Sequence, residues 1–294
     1  MLKKLFSVLP FVLILGLIIN LNSETYAKEV HNFGENVEKA KFYIENSVNE
    51  LNEILSSMRK DSNSEDIKAA INNYYSENPV HQDILNDNTL TIDDIFPLDE
   101  NQETVQSSEV INLGELALQA KGNLTKDEFI YEFFNENGVT TVYLSKTGGL
   151  IITEGPAPLL DLSRNKLVTA ATDWNVTKTQ RTTGAIYNSF GSEMAQFWAE
   201  GNFKYNGIQA VHSYADGGIE RKLAGSTLNI EKKAEGKTRT NAVGSYSYPE
   251  VYTQVYFEAQ LGFRYLGITV TSATLEAYVG AGPSGSLYGQ VIKK

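Results

Sequence analysis

The sequence predicts an α+β protein, with a mostly helical, acidic N-terminal region followed by an all-β antiparallel sandwich. Three observations carry this. Apolar residues recur at helical spacing before residue 80 and at period two after residue 190. The charge divides in the same way: residues 28–165 hold 25 Asp and Glu against 10 Lys and Arg, a net of −15, and residues 166–294 hold 10 against 13, a net of +3. Finally, the stretch Phe197-Trp198-Ala199-Glu200-Gly201-Asn202-Phe203-Lys204-Tyr205-Asn206-Gly207-Ile208 returns sixty residues later. There it reads Phe257-Glu258-Ala259-Gln260-Leu261-Gly262-Phe263-Arg264-Tyr265-Leu266-Gly267-Ile268, with six of twelve positions identical. We read the pair as one β-hairpin used twice.

In chain order, Met1-Leu2-Lys3-Lys4, an apolar run to about Leu21 and Thr25-Tyr26-Ala27 form the pattern of a secretory signal peptide cut after Ala27. The competing reading is an uncleaved anchor, since the run approaches the ~20 residues that span a bilayer. The chain has no cysteine, which removes disulfides, thiol nucleophiles and zinc–thiolate sites. Export without cysteine fits a bacterial secreted protein. An acidic chain without a basic patch also argues against nucleic acid as partner.

Residues 28–154 form the first region. Ile44, Val48, Leu51, Leu55 and Met58 alternate steps of four and three and predict one helix. Asp61-Ser62-Asn63-Ser64 supplies caps for a second, carrying Ile67, Ala70, Ile71 and Tyr74 and ending at Asn78-Pro79. Residues 82–119 are acidic and broken by Asn, Thr and Asp. Thr125-Lys126-Asp127-Glu128 reads as a capping box opening a helix with Phe129, Ile130, Phe133 and Phe134, stopped by Gly138. Val139–Ser145 and Leu150–Thr153 read as strands joined through Lys146–Gly149. The Pro/Gly-rich stretch 155–165 reads as the linker. Two readings stand for this region: a small domain with its own partner, or an acidic pro-region that docks on the β domain and is later removed.

Residues 166–294 form the β domain. Ala195, Phe197, Ala199, Gly201, Phe203 and Tyr205 share one face of a strand, and Gln196, Trp198, Glu200, Asn202 and Lys204 the other. Asn206-Gly207 predicts a two-residue turn with Tyr205 opposite Ile208, Phe203 opposite Ala210 and Gly201 opposite His212. In the second copy Val255, Phe257 and Ala259 share one face, and Gln254, Tyr256 and Glu258 the other. Further strands are expected at 227–232, 238–247 and 272–279.

No catalytic constellation or metal site emerges. His31, His81 and His212 lie far apart in sequence, and Gly280–Gly285 lacks the following helix a dinucleotide fingerprint needs. No cofactor is implied. The outward aromatics Trp198 and Tyr256, flanked by Glu200, Glu258, Lys204 and Arg264, are the candidate ligand-binding residues, because aromatic rings stack on sugars or settle at membrane interfaces. The expected function is non-enzymatic binding of a glycan or cell-wall polymer at or outside the cell envelope. The alternatives are a membrane-active or antagonistic protein with an acidic pro-region, and a glycan hydrolase using Glu200 or Glu258.

Overall fold

A computed structural model describes residues 34–87, 90–97, 111–112, 128–136, 138–157, 173–222, 228–243, 246–265 and 268–294, and the side chains of 92–93, 111–112, 128, 228–229, 243, 257–273 and 293 fall outside that description. The expected signal peptide and most of the expected linker lie outside the described residues.

Two helices lead. The first, α1, covers residues 34–57 and buries Ile44, Val48, Leu51 and Leu55, the expected face. The second, α2 (Ser64–Glu77), buries Ile67, Ile71 and Tyr74. Its cap is Asn63, whose side chain accepts from the Asp66 N–H at 2.8 Å. Two single-turn helices follow, α3 (Gln82–Leu85) and α4 (Ile92–Ile95).

The strands are antiparallel and form two sheets. The five-stranded sheet joins, in spatial order, β1 (Ile111–Asn112), β12 (Leu287–Lys293), β11 (Ile268–Ala281), β10 (Tyr246–Tyr265) and β9 (Leu228–Val243). The seven-stranded sheet runs β2 (Glu128–Asn135), β3 (Gly138–Ser145), β4 (Leu150–Gly155), β6 (Gln180–Tyr187), β7 (Glu193–Tyr205) and β8 (Ala210–Arg221). The short β5 (Asn175–Val176) pairs with the end of β7 beyond β6.

Alternation along each strand decides what it packs on. Ile151, Ile186, Ala195, Phe197, Ala199 and Phe203 of the seven-stranded sheet share one core with Val251, Val255, Leu275, Ala277, Val279 and Val291 of the other. The opposite side of the seven-stranded sheet carries Val142, Leu144, Leu150, Ile152, Ala185 and Tyr187. These share a second core with Ile44, Leu51, Leu55, Ile67 and Ile71 of the helices. The order of layers is therefore helices, seven-stranded sheet, five-stranded sheet. The Phe134 N–H also donates to the Lys60 carbonyl at 2.8 Å, tying β2 to the turn between the helices. Because β4 pairs with β6, one sheet continues across the expected boundary at 155.

Two local expectations are corrected. Residues 128–135 form strand β2, not a helix. The run Phe129–Phe134 is aromatic-rich and its edge pairs along all of β3, with Phe133 fully buried against the helices. Gly138 does not stop a helix; it has φ +131 where β3 begins, and a Cβ there would stand 2.1 Å from the Gly155 carbonyl oxygen. The β7–β8 turn is also longer than expected. Tyr205 faces Ala210, not Ile208, and Phe203 faces His212. The Asn206 side chain accepts from the N–H groups of Ile208 and Gln209, holding a four-residue loop with Gly207 at φ +89. A shift of two residues leaves Ala210 and His212 on their expected face, and a bulge beyond His212 changes the rest.

The core is tight where β6 meets β7. Gly184 faces Phe197, and a Cβ at Gly184 would lie 2.5 Å from the Phe197 ring. Gly184→Ala is expected to destabilise the fold by about 1–3 kcal/mol through overpacking. Gly34→Ala, where a Cβ meets nothing within 4 Å, serves as the neutral reference. The shift in urea midpoint of Gly184→Ala against that reference is the measurement, and equal midpoints would contradict the packing.

Candidate functional site

Among the described residues, the helices leave part of their side of the seven-stranded sheet uncovered. Thr183 and Arg181 continue from Tyr187 and Ala185 along β6 on the same face, and their cross-strand partners are Trp198 and Glu200 of β7. Gly218 and Asp216 of β8 complete these two rows. The Trp198 ring leans over Gly218, where a Cβ would come within 2.2 Å of it. Glycine is what lets the indole lie flat on the sheet.

Arg181 organises the polar half. Its Nε stands 2.6 Å from Glu200 Oε2, and its guanidinium carbon lies 5.3 Å from the Trp198 ring centroid. The Tyr214 hydroxyl donates to the other oxygen of Glu200 at 3.4 Å. Partial desolvation, with the Asp216 and Glu200 carboxylates beside it, holds the Tyr214 phenol above its ordinary value, so it remains a donor. Tyr214 reaches this face through a β-bulge: register shifts between Asn202 and Phe203, so Phe203 faces His212 while Asn202 faces Tyr214. Without that extra residue, Tyr214 would point to the same side as His212. Next along the face come Asn202, which donates to Thr179 at 3.1 Å, and exposed Lys204.

The structure therefore brings together Trp198, Glu200 and Lys204. Tyr256 is elsewhere. Val251 and Val255 point into the shared core, so Tyr256 points out of the five-stranded sheet, away from Trp198 and across the whole core. Its ring lies 5.2 Å below the Lys233 ammonium. One ligand-binding face containing both Trp198 and Tyr256 is ruled out by this arrangement. Glu258 and Arg264 lie on β10, but their side chains fall outside the described residues.

The outer side of the five-stranded sheet holds a polar cluster that sequence reading missed. Glu276 is fully buried and Glu250 nearly so. Arg239 of β9 bridges them, with Nε 2.5 Å from Glu250 and Nη1 2.8 Å from Glu276. Its guanidinium also lies 4.8 Å from the Tyr252 ring and 5.5 Å from that of Tyr278. Tyr288 donates to Glu250 at 3.0 Å and Gln254 to Glu276 at 2.6 Å. Burial opposes the charge on Arg239, but the two carboxylates outweigh it and hold the guanidinium above its ordinary value. This is a structural network joining four strands, β9 to β12. Both sheets use the same device, an Arg paired to the Glu directly across and lying over an aromatic ring two residues along that strand.

Arg181 and Tyr214 were absent from the sequence-derived set. Arg181 stands on a short strand with weak alternation, and the bulge hides Tyr214. Among the described residues no group of three His, Asp or Glu side chains gathers to hold a metal ion, and no helix is long and apolar enough to cross a membrane. Compared with known proteins, the chain matches no family model, no curated protein sequence and no solved structure.

Proposed function

We propose that the chain is a secreted, non-enzymatic binding protein acting at or outside the cell envelope, with a glycan or cell-wall polymer as ligand. The observation that carries this is the uncovered sheet face bearing Trp198, with Arg181, Glu200 and Tyr214 arrayed around the ring. The half-buried indole adds apolar area beneath the Arg181 guanidinium, and the polar groups beside it offer directional hydrogen bonds. The ion pair with Arg181 engages the Glu200 carboxylate, which supports binding over hydrolysis. In this reading residues 1–27 direct export, and the two sheets form a sandwich with one copy of the ancestral hairpin in each.

The test is co-sedimentation of the chain from Lys28 with purified cell walls. The parent is expected to pellet, and Trp198→Ala, folded by circular dichroism, to lose at least about tenfold in affinity, or ~1.4 kcal/mol. A parent that stays in solution would sink the proposal.

A second reading, membrane activity, draws on strand length. The 20 residues of β10 and 14 of β11 exceed the ~9–11 that cross a bilayer as a tilted strand. Dye leakage from vesicles by protein cut within 155–165, together with no capture by walls, would favour it.

A further inference from the structure

Beyond Lys204 the same face turns apolar. Val176 of β5 and Val211 of β8 both stand opposite Lys204, and so on its side. Trp174 precedes β5 and is 45% exposed, Tyr214 is 42% exposed, and Ile208 protrudes from the adjoining loop. The other exposed large hydrophobics among the described residues, Phe42, Leu85 and Phe134, lie in the helical layer and on β2. A cluster of this kind on one face marks an interaction surface.

We propose that this face binds an uncharged polysaccharide chain along β7, with the exposed rings of Trp174 and Tyr214 as stacking residues and the Trp198–Arg181 pair as a further contact. The inference rests on the binding reading above and names its ligand class. Continuing the Asn175–Tyr205 pairing by one residue brings Trp174 level with Asn206, Tyr214 faces Asn202, and Trp198 lies four residues further along β7. Their backbone levels, taken from β5, β8 and β7 in turn, thus follow one another at four-residue steps of about 13 Å, on a strip about 26 Å long at ~3.3 Å per residue. An open strip with evenly spaced rings suits a repeating polymer, where a small molecule would need enclosure.

Charge selects among polymers. Lys178, Arg181 and Lys204 are balanced around the strip by Asp173, Glu200 and Asp216, on a chain of net charge −11. Phosphate-rich polymers and anionic bilayers are held by clustered cations in excess, which the described residues of this face lack.

The experiment compares sedimentation with intact cell walls, with walls acid-extracted to remove phosphate polymers, and with phosphatidylglycerol vesicles. Binding is expected to be equal on both wall preparations. It is expected to persist in about 1 M salt, where screening is confined to ~3 Å, and to be absent on vesicles. Trp174→Ala and Tyr214→Ala are each expected to weaken binding about tenfold with unfolding midpoints near the parent's. Release by salt or loss on extracted walls overturns the uncharged ligand while leaving the binding reading intact. Capture by vesicles overturns it in favour of a lipid surface. Parent-like binding by both variants removes the strip but leaves Trp198 in place. A parent that ignores intact walls overturns the binding reading itself.

Discussion

Arg239→Met is expected to lower stability by about 3–5 kcal/mol, read as a fall in urea midpoint with the slope unchanged. The size follows from what is left behind. Glu276 is fully exposed to none of the solvent and Glu250 to 5% of it, and both depend on Arg239 for charge compensation. Among the described residues Lys294 adds a longer contact to Glu276, at 3.4 Å. Removing the guanidinium therefore strands carboxylates in a low-dielectric layer, whereas a surface pair would cost under about 1 kcal/mol. The informative companion is Arg239→Met with Glu250→Gln and Glu276→Gln. It removes the charges together and is expected to recover most of the loss, because uncharged amides carry a much smaller desolvation penalty. A single variant within about 0.5 kcal/mol of the parent would mean the network is solvated in solution and the burial is not as described.

The second large effect is cooperative unfolding in alkali. Burial raises the phenols of Tyr75, Tyr187 and Tyr288 well above their ordinary value and pushes Tyr278 up to about 12. For Tyr187 and Tyr288 the nearby Glu193 and Glu250 carboxylates add to it. An unfolded chain releases these protons near pH 10, and the folded chain keeps them. The stability they protect is thus complete below pH 10 and is lost as pH rises from there through each folded value. Four such groups act at up to ~1.4 kcal/mol per pH unit each, so stability should fall by as much as about 5–6 kcal/mol per unit. Against a total of about 5–15 kcal/mol, the fold should be gone by about pH 12. Tyrosinate absorbance and circular dichroism should then change together in one step. Gradual ionisation of these tyrosines with the dichroism intact would show that the phenols are reached by solvent in the folded state.

Much of the local structure is legible in the residues themselves. The Ile44–Leu55 spacing and the Asn63 cap announce α1 and α2, because a helix face repeats within one segment. The alternation from Ala195 to Lys204 likewise assigns Phe197 to the core and Trp198 to the outside before any partner strand is known. Where two local signals competed, reading failed. Thr125–Glu128 has the form of a capping box, yet Phe129–Phe134 joins β3, whose open edge offers a full ladder of hydrogen bonds.

Tertiary structure alone decided the rest. Periodicity tells which face of a strand is apolar, but the same pattern fits any neighbour of matching length, so it is silent on pairing. The first hairpin segment joined the helix-covered sheet and the second the other, which put Trp198 and Tyr256 on opposite sides of the molecule. Arg239, Glu250 and Glu276 are brought together only by the β9–β10–β11 register. The aromatic strip likewise exists because one extra residue in β8 turned Tyr214 outward and β5 folded back beside Lys204. Each of these is set by non-local closure, where the burial of a whole sheet outweighs the preference of any single segment.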